Sequence, residues 1–324
     1  MPHTDTSPCI HCHLCQKNCQ FLSKYGIDIC DTERLKDLAY HCFLCGKCTE
    51  VCPVGIDGRE VILNIREKLV ADAGGKVTEK GYGMLLKEKQ NYIFQNYRNM
   101  KEGRSVLFPG CNFPSYYPKT TRLIAELLQE EAGIGVIFDC CGKPVAELGL
   151  TDAVEETIRK LNRKLDAAGI EEVIMLCPNC YHFLKGKLHA RVVNIFDKLE
   201  ALHLGKRITG DIDLFLPCPE RETKEILSSV QKFVDGRIRL ISEAQCCGLG
   251  GCAKAQEPEL SAAMTEQLRG AGYEKIYTYC ASCSGNFARN GWEHAVHILT
   301  EITGSKETAD AAGSFVNRAK TKLW

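Results

Sequence analysis

The chain has 324 residues, 44% of them hydrophobic, which allows two or three domains with their own cores and excludes a disordered or fibrous protein. Basic and acidic residues both number 41, so no net charge attracts nucleic acid or anionic lipid. Because no export signal or membrane span is evident, we predict a cytoplasmic protein and interpret the 20 cysteines as metal ligands rather than disulfides.

Two cysteine runs in the first 60 residues have the C-x₂-C-x₂-C-x₃-C spacing of a two-cluster bacterial ferredoxin, in which the fourth cysteine of each run ligates the other cluster. Gln20 stands where the motif has proline, whereas Pro53 follows the second run. Zinc is the alternative metal, but zinc ribbons separate their C-x₂-C pairs by about a dozen residues or more. We predict one [4Fe–4S] cluster in each of two sets, the first N-terminal set of Cys9, Cys12, Cys15 and Cys52 and the second N-terminal set of Cys19, Cys42, Cys45 and Cys48.

Other residues near these runs have two interpretations each. His11, His13 and His41 flank ligands, where they can tune a reduction potential, but solvated surface histidines are the favoured interpretation. Cys30 lies between the runs and is predicted to be a small buried hydrophobic residue.

The segment after this domain contains no cysteine. Residues 61–104 have helical spacing of apolar residues, broken by glycines. We predict a helical connector that packs the N-terminal domain, residues 1–60, against the rest of the chain.

Beyond residue 104, predicted strands and helices alternate, and the whole pattern then repeats. Strands are predicted at SVLFPGC, IGVIFDCC and EEVIMLC, and again at IDLFLPC, RIRLISEAQCC and EKIYTYC. Cys111 and Cys218 are 107 residues apart, and Cys180 and Cys283 are 103 apart. The repeat predicts two α/β domains, residues 105–210 and 211–324, related by an approximate twofold axis, with cysteines at the C-terminal ends of strands.

Each half has five cysteines: one after the first strand, an adjacent pair before glycine, and a C-x₂-C after the last strand. A cubane [4Fe–4S] cluster needs four terminal ligands, so the fifth thiolate is not explained by a cubane. Gly142 and Gly248 are predicted to form the tight turns that adjacent cysteine ligands need.

The motifs CCGKP, CPNC, CCGLGG and CASC resemble the CCG domains of heterodisulfide reductases, those of the B-type polypeptide in particular. The whole chain is similar to a compact D-type polypeptide, which joins the equivalents of the C and B types. The resemblance implies a noncubane [4Fe–4S] cluster in each domain, and the ten cysteines involved are the predicted catalytic residues. They are the first CCG set of Cys111, Cys140, Cys141, Cys177 and Cys180, and the second CCG set of Cys218, Cys246, Cys247, Cys280 and Cys283.

Some features leave alternatives open. Pro219 stands where the family often has histidine, and a cubane cluster or a zinc ion is the alternative for the second CCG set. Cys252 is close enough in sequence to that set to be a redox-active thiol, although a structural role is favoured. His182 and Arg289 follow the C-x₂-C motifs and are candidates to contact an anionic substrate, with surface or capping roles favoured.

The predicted fold class is α+β multi-domain, with a helical dicluster ferredoxin-type domain followed by two duplicated α/β CCG domains. The resemblance implies an anaerobic, heterodisulfide reductase-like enzyme that passes electrons from the N-terminal clusters to the CCG clusters, where a small disulfide is reduced. The alternative is an electron-transfer subunit of a flavin-dependent glycolate, lactate or glycerol-3-phosphate oxidase, and a structural zinc protein is a third interpretation. Because the chain has no flavin motif, we expect a flavin-containing, hydrogenase or formate-type donor subunit.

Overall fold

The computed structural model describes residues 4–100 and 103–324; residues 1–3 of the predicted first domain and residues 101–102 of the predicted connector lie outside it. The N-terminal region consists of short helices separated by cysteine-bearing loops. Its core is formed by Phe21, Leu22, Leu35 and Ile62, each 1% exposed or less. The helices are α1 (Leu14–Asn18), α2 (Gln20–Tyr25), α3 (Thr32–Leu38) and α4 (Lys47–Glu50).

The predicted connector is helical only in part. Helix α5 (Gly58–Asp72) begins at Asp57, whose carboxylate accepts hydrogen bonds from two backbone N–H groups of the first turn, and α6 (Gly83–Lys89) follows. The segment then forms strand β1 (Asn96–Asn99), which pairs antiparallel with a strand of the first CCG domain. A strand forms there because β1 completes the edge of that sheet and the Asn96 amide donates to Thr321 O at 2.7 Å.

The first predicted α/β domain contains a five-stranded sheet in the order β1-β3-β2-β4-β5, parallel except for β1. Strands β3 and β4 are buried along their whole length, as expected when helices cover both faces of a parallel sheet. The strands are β2 (Ser105–Phe108), β3 (Gly135–Phe138), β4 (Glu172–Met175) and β5 (Arg191–Asn194). The helices are α7 (Phe113–Tyr116), α8 (Pro118–Ala132), α9 (Lys143–Ala146), α10 (Thr151–Ala167), α11 (Pro178–Leu184) and α12 (Ile195–Ala201).

The second α/β domain repeats this topology without the edge strand. Its four strands are all parallel, in the order β7-β6-β8-β9, which matches β3-β2-β4-β5 of the first domain. The strands are β6 (Ile212–Leu214), β7 (Ile238–Leu240), β8 (Ile276–Thr278) and β9 (Ala295–His297). The helices are α13 (Glu225–Gln231), α14 (Pro258–Gly270), α15 (Ala281–Arg289) and α16 (Ile298–Ile302). The duplication predicted from the cysteine spacing is therefore present in the fold.

The end of the chain packs against the first α/β domain. The predicted domain boundary instead assigns all of residues 211–324 to the second domain. Helix α17 (Ser314–Lys320) packs beside α7, where Ser115 Oγ donates to Ser314 O at 2.6 Å. The ring of Trp324 lies edge-on against Phe138, with 4.9 Å between centroids. The last helix thus joins the two domains.

A buried carboxylate joins the N-terminal region to the second α/β domain. Glu257, 1% exposed, accepts hydrogen bonds from Lys24 Nζ and Tyr25 Oη at 2.6 Å and lies 2.7 Å from His41 Nδ1. Burial raises the pKa of Glu257, but the hydrogen bonds from these three partners outweigh it and lower the pKa. His41 is therefore part of a domain contact. In the described ranges, no helix combines the length and apolar character needed to cross a membrane.

Candidate metal centres

The first N-terminal set comes together around one cavity. Cys9, Cys12, Cys15 and Cys52 all line it, with Asp28 and His13 beside them. Backbone N–H groups donate to two of the sulfurs, from Ile56 to Cys52 Sγ and from His11 to Cys9 Sγ, both at 3.4 Å. His13 is exposed and pairs with Asp28 at 2.7 Å. The fourth cysteine of the second run therefore lies with the first three of the first run, as the crossed pairing predicts.

The second N-terminal set is fully buried: Cys19, Cys42, Cys45 and Cys48 are each 9% exposed or less. Burial, followed by the negative charges of Cys42, Cys19 and Cys45, raises the pKa of Cys48 well above its usual value. Four thiols this close cannot all ionise unless a cation compensates their charge.

Cys30 lies at the edge of the first N-terminal set and is only partly buried. Its sulfur, Cys9 Sγ and His11 Nδ1 all lie within 4.8 Å of one another. Burial, followed by the hydrogen bond to Cys9, raises the pKa of Cys30 to about 12. Cys30 lies outside both C-x₂-C-x₂-C-x₃-C runs and is not needed to complete either set of four.

We predict that Cys52→Ser lowers the iron content of the anaerobically purified protein by about four atoms per chain, because the crossed set then lacks one of its four thiolates. Cys30→Ser is the matched control and is expected to retain full iron and labile sulfide. Equal iron loss in both variants would contradict the crossed assignment.

The first CCG set forms a continuous series of hydrogen-bonded thiols. Cys111 contacts Cys140, Cys140 contacts Cys141, Cys141 contacts Cys180, and Cys180 contacts Cys177. Cys111 follows β2, the adjacent pair follows β3, and Cys177 and Cys180 lie at the start of α11 after β4. Hydrogen bonds from Cys140 and Cys180 lower the pKa of Cys141 to about 5, so this sulfur is a thiolate at neutral pH.

The second CCG set is arranged differently, since its adjacent cysteines face different partners. Cys246 donates to Cys218, whereas Cys247 contacts Cys283, which in turn contacts Cys280. The predicted turns are present, because Gly142 and Gly248 have φ angles of 85° and 78°, which favour glycine.

Cys218 links the two parts of the second CCG set, because it interacts with cysteines of both parts. Pro219 lies in a short 3₁₀ helix, Cys218–Glu220, and Cys218 keeps its contact with Cys246. The charge of Cys280 also acts on Cys218, so the two parts of the set are near each other.

Two contacts connect the sets to each other. Cys177 of the first CCG set donates to Cys280 of the second, and the Asn179 amide also donates to Cys280 Sγ at 3.5 Å. Cys246 of the second CCG set donates to Cys45 of the second N-terminal set. This hydrogen bond and the charge of Arg221 outweigh the effect of burial and lower the pKa of Cys45 to about 6. The N-terminal region therefore meets the second CCG set directly, an order that sequence reasoning did not predict.

Iron–sulfur clusters fit this arrangement of sulfurs. All 20 cysteines are described, and none of them forms a disulfide. Cys45 and Cys141 combine complete burial with a lowered pKa, about 6 and about 5, and the thiolate is the form that binds metal. Buried thiolates that touch other thiols match the donor set of thiolate-bound clusters.

Two cations that sequence reasoning missed face the first CCG set. Burial by itself lowers the pKa of Lys89, but the negative charges of Cys111 and Cys140 outweigh it and leave the pKa raised. Arg318 lies on the last helix, α17, and its positive charge acts to lower the pKa of Cys111. In the sequence, Lys89 belongs to a helix with other lysines and has no signal that separates it from a surface residue. In the structure it is 7% exposed.

The remaining candidates have structural partners. His182 pairs with the buried carboxylate of Glu220, and Arg289 donates to Ser314 Oγ at 2.8 Å, so both side chains have partners within the protein. Cys252 Sγ lies 3.7 Å from Pro144 O in the first CCG domain, and burial raises the pKa of Cys252 to about 12. This environment favours a packing role over a reactive thiol.

Comparison with known families identifies the two α/β domains. Residues 105–185 and 212–288 both match the family of the CCG cysteine-rich domain. The two matched segments contain all ten cysteines of the two CCG sets. The predicted pair of CCG domains is confirmed.

Three related proteins are described by their names and organisms. An uncharacterised iron–sulfur protein of Methanococcus maripaludis is 27% identical over 78% of this chain, and the B subunit of the fumarate reductase (CoM/CoB) of Methanothermobacter marburgensis is 24% identical over 85%. The D subunit of the dihydromethanophenazine:CoB–CoM heterodisulfide reductase of Methanosarcina acetivorans is 25% identical over 73% of this chain. The chain spans 57%, 66% and 68% of the lengths of these three relatives.

One solved structure has the same overall fold. It is a hypothetical protein from Helicobacter pylori, of which 66% superposes on 88% of this chain with a TM-score of 0.53 and 12% sequence identity. At this identity the likeness concerns the fold alone.

Proposed function

Because the chain is an iron–sulfur protein with two CCG domains, similar to the D subunit of heterodisulfide reductase, we propose that it is an oxidoreductase that reduces a small thiol disulfide. In the overall reaction one S–S bond breaks, two electrons come from a reduced donor protein, two protons come from solvent, and two thiols are released. The relatives that are named as reductase subunits support a role within such a complex.

The observation that carries this proposal is the contact between the two CCG sets at Cys177 and Cys280. Disulfide reduction needs two electrons, whereas an iron–sulfur cluster transfers one at a time, so two adjacent centres match the electron count. We assign a noncubane [4Fe–4S] cluster to each five-cysteine set and a [4Fe–4S] cubane to each N-terminal set. When bound, these groups supply one-electron transfer.

The chain's own residues exclude water from the reaction site and balance its charge. Cys140, Cys180, Cys280 and Cys283 are each 3% exposed or less, which keeps the thiolates in a medium of low polarity. Lys89 and Arg318 share one carboxylate, Glu88, at 2.7 and 2.9 Å, which leaves net positive charge beside the first CCG set and favours the more negative, reduced state of that site.

Electron entry is assigned to the first N-terminal set. Cys9, Cys12 and Cys52 are only partly buried, whereas all four cysteines of the second N-terminal set are buried. A flavin-containing, hydrogenase or formate-type subunit is the proposed donor.

The test is an anaerobic assay with reduced viologen, iron-replete protein and a panel of small symmetric and mixed disulfides. We expect rapid viologen oxidation with at least one disulfide, and about sixteen iron atoms per chain for four clusters, against about eight if only the N-terminal sets are loaded.

Reduced CCG centres that oxidise no viologen with any disulfide would overturn the proposal and favour an electron-transfer subunit of a flavoprotein oxidase. Zinc in place of iron and labile sulfide would contradict both functions.

A further inference from the structure

Gln245, immediately before the cysteine pair of the second CCG set, contacts the second N-terminal set. Its side-chain Nε2 donates to Cys45 Sγ at 3.6 Å and to Cys19 Sγ at 3.7 Å. Gln245 is 9% exposed, so water has little access to these contacts. The amide thus lies where the N-terminal region meets the second CCG domain, next to the contact between Cys45 and Cys246.

The oxygen of the Gln245 amide explains why residue 20 is not the proline of the ferredoxin motif. The backbone N–H of Gln20 donates to Gln245 Oε1 at 2.6 Å, across 225 positions of sequence. Proline has no backbone N–H and cannot make this bond. The N–H is available because Gln20 is the first residue of α2, where backbone donors have no partner within the helix.

The side chain of Gln20 does not explain the residue's presence. In the described part of the chain, Gln20 Oε1 is buried without a hydrogen-bond partner. The backbone N–H, which any residue except proline supplies, is therefore what this position contributes.

The backbone N–H of Gln20 also determines which way the Gln245 amide faces. A glutamine amide has one accepting oxygen and one donating nitrogen, so holding the oxygen at Gln20 turns the nitrogen towards the sulfurs. Arg221 holds the adjacent backbone, since its Nη2 donates to Gln245 O and its Nε donates to Cys45 O at 2.9 Å.

Hydrogen bonds to ligand sulfurs are among the features that set the reduction potential of an iron–sulfur cluster. A donor stabilises the more negative, reduced state and so raises the potential. We propose that Gln245, oriented by the Gln20 N–H, is a positioning residue that raises the reduction potential of the second N-terminal centre at its junction with the second CCG set. The proposal rests on the cluster assignment of the proposed function and is independent of the disulfide substrate.

The test is an anaerobic redox titration of the full iron-loaded chain, followed by EPR, in five variants. Gln245→Leu removes the donor, and Gln20→Pro removes the N–H that orients it together with the Gln20 side chain. Gln20→Ala keeps the N–H and is the matched control, while Gln231→Leu replaces an exposed glutamine elsewhere in the second CCG domain. Cys19→Ser identifies the signal of the second N-terminal centre.

We expect Gln245→Leu to lower the reduced-to-oxidised ratio of that centre about tenfold at a fixed potential, equivalent to about 59 mV for a one-electron couple. Gln20→Pro is expected to shift it in the same direction, and Gln20→Ala and Gln231→Leu to leave it unchanged. Unshifted potentials in iron-replete Gln245→Leu and Gln20→Pro, or an equal shift in Gln20→Ala, would overturn the proposal. Because no disulfide is present, these outcomes are separate from a failure of disulfide reduction.

Discussion

Replacement of Cys141 by serine is expected to remove about four iron atoms per chain and to abolish viologen-driven disulfide reduction. Cys141 is the thiolate at the middle of the first CCG set, 4% exposed, and its pKa is lowered to about 5 by hydrogen bonds from Cys140 and Cys180. A serine hydroxyl is not ionised at neutral pH and does not replace this ligand. Iron and labile-sulfide analysis, with the viologen assay on the same sample, measures both effects.

Cys252→Ser is the matched control for this experiment. Cys252 lies near Cys141, since its sulfur is 3.7 Å from Pro144 O. Burial raises the pKa of Cys252 to about 12. Among the described residues, its sulfur makes no hydrogen bond to a member of the first CCG set. The Cys252→Ser protein is expected to keep its iron and most of its disulfide reductase activity. Full iron in Cys141→Ser, or equal loss in Cys252→Ser, would refute the assignment of the first CCG set.

Replacement of Arg66 by methionine is expected to lower the free energy of unfolding by about 3–5 kcal/mol, because several buried carbonyl oxygens lose their donors at about 1 kcal/mol or more each. Arg66 is 0% exposed and lies on α5. It donates to Ala39 O and Cys42 O in the N-terminal region, to Glu147 O in the first CCG domain and to Gly251 O in the second. One side chain therefore connects three parts of the molecule.

The measurement is urea unfolding of the iron-loaded protein, followed anaerobically by far-ultraviolet circular dichroism. Lys68→Met is the control on the same helix, because the Lys68 side chain is 72% exposed and pairs with Asp72 at the surface. It should change the stability by about 0.5 kcal/mol or less. A stability for Arg66→Met within about 1 kcal/mol of the unchanged protein would show that the three regions do not depend on this contact.

Much of the site was predictable because ligand spacing is a local property of the chain. Regular cysteine runs predicted the crossed N-terminal sets, and the structure brings Cys52 to Cys9 and Cys19 to Cys45 accordingly. The offset between the two halves predicted the duplicated sheets, because cysteines follow strands in the same order in each half.

The sequence by itself thus determined the duplication and the cysteine-rich character of both CCG domains, and it predicted the grouping of the thiols into four metal-binding sets. Only the tertiary structure decided how the groups meet: through Cys45 and Cys246, through Cys177 and Cys280, and around the buried charge of Lys89. It also decided that Gln20 uses a backbone N–H that proline lacks. These contacts join residues far apart in the chain, and no local pattern encodes them, because they depend on how the domains pack.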